Sequence, residues 1–120
     1  MSLLDEIVGK GDTGREPRFP HAPEGWTAAA AAETAKREGL ALGEGHWAAL
    51  RALQEYYARH EPTAINLREL HDALDEKFHR EGGIRHLYLL FPGGPIAQGC
   101  RIAGLKAPAG ATDRGFGSVA

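Results

Sequence analysis

The chain has 120 residues, a mass of 12.9 kDa and a formal net charge of −2, which bounds it to one domain and excludes a broad electrostatic hold on nucleic acid. Hydrophobic residues at 42% and charged residues at 25% are the balance of a globular protein rather than a disordered chain. No apolar run approaches the roughly 18 residues needed to cross a bilayer, MSLLDEIVGKGDTGREPR lacks the regions of a secretory signal, and one cysteine cannot close an internal disulfide, so the expectation is a cytoplasmic protein with no membrane role.

Residues 1–25 show little periodicity. EIVGK suits one short strand, and GDTGREPRFPHAPEG is dense in Gly and Pro, which resist long regular structure. A weak hairpin or irregular wrap is expected there.

From Trp26 the pattern changes. WTAAAAAETAKREG is rich in Ala, the best helix former, with Lys36 and Arg37 in its last turn and Gly39 as the stop. A second helix is predicted over 44–60, with Trp47, Leu50, Leu53, Gln54 and Tyr57 on one side, ended by Pro62. A third carries the apolar stripe Leu67, Leu70, Leu74, Phe78, opens on Asn66 with Glu69 three residues on, and is closed by the Gly pair in EGG.

IRHLYLLFP reads as a short apolar helix or strand, between which periodicity does not choose. GGPIAQGCRIAGL predicts a final helix with Pro95 at its first position and Ile96, Cys100 and Ala103 on one face. Beyond Leu105 the tail is too poor in apolar residues to pack by itself. The organisation expected is one domain over 1–120: a weak β or irregular segment over 1–25, a helical body over 26–105 and a flexible tail over 106–120.

Cys100 is the one candidate for thiol chemistry. A lone cysteine facing Ile96 and Ala103 can also be a small buried hydrophobe, and both readings stand. Adjacent Arg101 diverges from it by about 100° on a helix, so its influence on the thiol is open. His71, His79 and His86 are spaced unlike metal ligands, and His46 reads as structural. Gly93-Gly94-Pro95 is a turn rather than a phosphate loop, and no metal or cofactor motif is present. The second and third helices suggest a helix-turn-helix in outline, but LRELHDALDEKFHR is as acidic as it is basic, which argues against DNA binding. No nucleophile–base pair marks a self-contained enzyme.

Two stretches carry a resemblance. GEGHWAALRALQEYYARHEP and LYLLFPGGPIAQGCRIAGL resemble the DsrC/TusE family of sulfur-relay proteins. In the second, Leu90, Phe91, Pro92, Gly94, Pro95, Gln98, Cys100, Ile102, Ala103, Gly104 and Leu105 stand in the family's register, and Gly9-Lys10 and Trp26 fit its earlier spacing. The resemblance implies an α+β fold, about five short helices on a small N-terminal β-meander, with a flexible C-terminal arm. It implies a sulfur carrier for tRNA thiolation or dissimilatory sulfur metabolism, with sulfur-pathway proteins, sulfite reductase-like or sulfur-donor, as partners.

The family's working thiol is a cysteine near the arm's tip, with which an upstream cysteine can bond. Here the arm position holds Ala111, the upstream position holds Cys100, and Ile65 stands where the family tends to place an Arg. The expectation is a carrier with at most one active thiol, Cys100. The alternative is a regulatory or adaptor paralogue that docks on sulfur-pathway proteins without carrying sulfur.

Overall fold

The computed structural model describes residues 17–111. The strand and hairpin expected near the N-terminus, and the tail beyond Ala111, lie outside the described residues. Among the described residues there are five α-helices and no strand: α1 Ala28–Arg37, α2 Glu44–Ala58, α3 Leu67–Lys77, α4 Gly83–Leu90 and α5 Ala97–Ala103.

Local chemistry sets most of the boundaries. The Thr27 hydroxyl accepts from the Ala30 N–H to open α1, and Gly39 at φ +78° lets the chain leave it. The His46 ring does two jobs at the start of α2: Nδ1 accepts from the Gly43 N–H (3.0 Å), so Nε2 carries the proton and donates to the Leu90 carbonyl (2.8 Å). That ties α2 to the end of α4. Asn66 Oδ1 accepts from the Glu69 N–H (2.8 Å), the cap expected for α3.

Three boundaries differ from the sequence expectation. α2 stops at Ala58, because Arg59 donates to both the Glu55 and Tyr56 carbonyls and the His60 ring caps the Tyr56 carbonyl. α3 stops at Lys77 and passes through one 3₁₀ turn, His79–Glu81, before the Gly pair. Gly83 there has φ +69°, and a Cβ on it would overlap Asp75 Oδ1, which accepts from the Ile84 N–H to start α4. The ambiguous apolar run is therefore a helix. α5 starts at Ala97 rather than Pro95, with the Gly94 carbonyl taking the Gln98 N–H as the first helical bond.

The helices pack in two groups joined by α2: α5 lies against α2 and α1, while α4 lies against α3 and α2. Leu50, Leu53, Leu70, Leu74, Phe78, Leu87, Phe91, Ile96 and Ile102 form the shared core. Phe19, from the irregular entry segment, seals one end edge-on against Trp26 and Trp47, with Arg18 and Arg51 over its ring.

Candidate functional site

The helix that carries Cys100 has only seven residues, too few to be stable alone, and the rest of the molecule completes it. A helix leaves its last four carbonyls without intrahelical partners. In α5 all four are taken: Leu105 N–H donates to the Cys100 carbonyl (2.8 Å), Gly104 N–H to that of Arg101 (3.4 Å), Trp26 Nε1–H to that of Ile102 (2.9 Å) and Gln54 Nε2–H to that of Ala103 (3.0 Å). Gly104 makes the exit turn at φ +81°, where a Cβ would come within 2.8 Å of the Trp26 ring.

The outer face of α5 is held by charge. Arg101 reaches Glu38 at the end of α1 with two bonds, Nε at 2.7 Å and Nη2 at 2.9 Å. Gln98 Nε2–H donates to the same carboxylate (2.9 Å), and its Oε1 accepts from the Gly93 N–H (2.9 Å). Such forked, charge-assisted bonds fix orientation as well as adding energy. Arg101 is thus occupied with Glu38.

Cys100 faces inward and is fully buried, at 0% exposure, with Ile96 and Ala103 buried beside it. Burial pushes its thiol up from 9.0 to about 11, against a smaller lowering by the Tyr57 hydroxyl. At neutral pH it is an S–H, a weak donor and a poor nucleophile. Its Sγ lies 3.8 Å from Tyr57 Oη, which accepts from it. The same Tyr57 hydroxyl donates to the Lys106 carbonyl at 2.7 Å. Burial first, and the neighbouring thiol second, raise the Tyr57 phenol well above its usual range, so it keeps its single proton.

The arm from Leu105 onward lies along the body. A groove of about 660 Å³ runs between residues 104–109 and the α2–α3 connection, bordered by Tyr57, Thr63 and Ile65. Ile65, at the position where the resemblance calls for an Arg, gives that wall an apolar side chain. Ala111 ends the described arm in a smaller crevice of about 130 Å³ among Leu67, His71, Tyr88, Ile96 and Ala97. The structure therefore brings together Cys100, Tyr57 and the arm root. It does not gather the histidines: among the described residues no group of three or more His, Cys, Asp or Glu could hold a metal ion. No helix of the described residues is long and apolar enough to cross a membrane.

Tyr57, which touches both the thiol and the arm root, is the residue that sequence reasoning placed only on an apolar stripe. Its signal was its chemistry, since a phenol at the edge of a core needs an acceptor where Leu or Phe does not.

Comparison with known proteins fits this geometry. A family described as DsrC like protein matches residues 12–111, which takes in both α5 and the arm to Ala111. "Sulfurtransferase TusE" of Sodalis glossinidius is 38% identical over 84 residues, covering 69% of this chain and 77% of that protein. The protein of the same name from Pectobacterium atrosepticum is 40% identical over 84 residues, 69% and 76% of the two chains. That of Yersinia pestis is 39% identical over 84 residues, again 69% and 76%. No solved structure is matched. From the thiol-bearing helix to the tip of the described arm, the chain belongs to the DsrC/TusE family of sulfur-relay proteins.

Proposed function

We propose that Cys100 is the sulfur-accepting group of a one-thiol relay protein. It takes a sulfane sulfur from a donor protein's persulfide and passes it to the next thiol on a cytoplasmic route to tRNA thiolation. The observation that carries the reading is the family match across both α5 and the arm, over which Cys100 is the only thiol.

The chemistry needs one thiol. The Cys100 S–H gives up its proton to solvent, and the thiolate attacks the terminal sulfur of the donor persulfide. A new S–S bond forms at Sγ, the donor's S–S bond breaks, and the donor leaves as a thiolate. Transfer to an acceptor thiol repeats the exchange in the opposite sense, with no net oxidation. Release through an intramolecular disulfide is closed to this chain, because Ala111 carries no sulfur.

Burial of Cys100 makes the closed structure the resting form. The thiol is neutral and shielded until the structure opens on its Tyr57 side. Among partners, a sulfur-donor protein and an accepting thiol protein fit this role directly, and a sulfite reductase-like acceptor is the other destination the resemblance offers. A docking-only adaptor is not favoured, since the related proteins above carry the name sulfurtransferase.

Intact-mass spectrometry after incubation with inorganic polysulfide tests the reading. A gain of about 32 Da on the wild type and none on Cys100→Ala is expected. A wild type that stays unmodified, with its thiol silent to iodoacetamide until the protein is unfolded, would overturn it.

A further inference from the structure

Tyr57 stands between the thiol and the arm with one proton to give. In the resting structure that proton goes to the Lys106 carbonyl at 2.7 Å, and the thiol donates to Tyr57 in turn from 3.8 Å. The arrangement works only while Sγ carries hydrogen. From this geometry we infer that Tyr57 is a positioning residue that couples the chemical state of Cys100 to the arm: when Cys100 becomes a persulfide, the Tyr57 proton turns to sulfur and releases the arm root at Lys106. The inference rests on the reading of Cys100 as sulfur acceptor.

The reason is the count of donors. A phenol has one O–H. A persulfide formed at Sγ leaves that sulfur without hydrogen and adds an anionic terminal sulfur about 2 Å from Sγ, within reach of the phenol oxygen 3.8 Å from Sγ. A charge-assisted bond is roughly twice as strong as a neutral one, so the sulfur anion outcompetes the carbonyl. The exposed Lys106 carbonyl then turns to water, which costs it little. The loading step is the exchange already given, with polysulfide as the donor: Cys100 thiolate gains one sulfur atom, and the polysulfide leaves one sulfur shorter. A loaded carrier thereby frees the arm root held by the residue that faces its own cargo.

The clamped carbonyl belongs to a lysine, so trypsin reads the clamp directly: cleavage after Lys106 requires the arm root to detach and extend. The full-length chain is treated with polysulfide or left untreated, desalted and digested briefly, and fragment 1–106 is followed by mass spectrometry beside the mass of the intact protein. In untreated protein, Tyr57→Phe should be cut roughly fivefold faster than wild type, for one lost hydrogen bond. Sulfur loading should speed cleavage of the wild type by a similar factor and leave Tyr57→Phe unchanged.

A wild type that gains sulfur without faster cleavage, or a Tyr57→Phe variant that accelerates as much on loading, overturns the coupling and leaves the acceptor reading intact. No gain of sulfur by either protein overturns the acceptor reading, and the coupling with it.

Discussion

The two sides of α5 are held by different means. On the α1 side, Glu38 binds Arg101 through two bonds and Gln98 through a third, and Trp26 takes the Ile102 carbonyl of the last turn, while Gln54 of α2 takes that of Ala103. On the arm side, the Tyr57–Lys106 bond holds the arm root, and residues 104–109 form one wall of an open groove. The asymmetry suits the role proposed for Cys100: α5 keeps its orientation, and the arm root beside it leaves at small cost.

The largest effect is expected from breaking the fixed side at its exit turn. Gly104→Val combines a left-handed backbone with a Cβ 2.8 Å from the Trp26 ring, and should cost about 3 kcal/mol or more in urea unfolding.

Titrating the thiol sharpens the comparison next. Its folded pKa, about 11, lies above the ordinary 9.0, so the folded state holds the proton more tightly. The stability this contributes is full below pH ~9 and is lost as pH rises towards ~11. Wild type should lose on the order of 2 kcal/mol over that window relative to Cys100→Ser, read by unfolding at each pH.

Glu38→Ala comes third. It removes an acceptor shared by Gln98 and Arg101, but the Arg101 side chain is 36% exposed, so about 1–2 kcal/mol is expected from thermal or urea unfolding. Lys106→Ala should move stability by less than ~0.5 kcal/mol, because the clamp uses the backbone carbonyl and not the exposed side chain. A larger loss there would mean that the arm is held by its charge.

What the sequence made legible was local. The Asn66 cap, the Leu67–Phe78 stripe, the Gly39 exit and the inward face of α5 all depend on residues within a turn or two of each other. The helical state of 83–90 was not legible, because its start depends on Asp75, nine positions from Ile84 and across a turn. The site divides in the same way. Cys100 stood out as the only cysteine, but the bonds that define its surroundings span 43 and 49 positions from Tyr57 and 63 from Glu38. Side-chain spacing along one helix gives no sign of them. Arg101 shows the limit best: sequence left its effect on the thiol open, and the structure turns it away to an acid on another helix.

The capping of α5 also has a consequence for the order of assembly. Two of its carbonyls wait for Trp26 and Gln54, 76 and 49 positions earlier in the chain. Both are synthesised before α5, so the receiving surface exists when the last segment emerges. The thiol-bearing helix is then zipped onto a prepared scaffold, late and over a long loop, and Cys100 passes from open solvent to shelter in that step. A ribosome-bound chain halted before α5 has docked should therefore show a thiol that alkylates faster than that of the released protein.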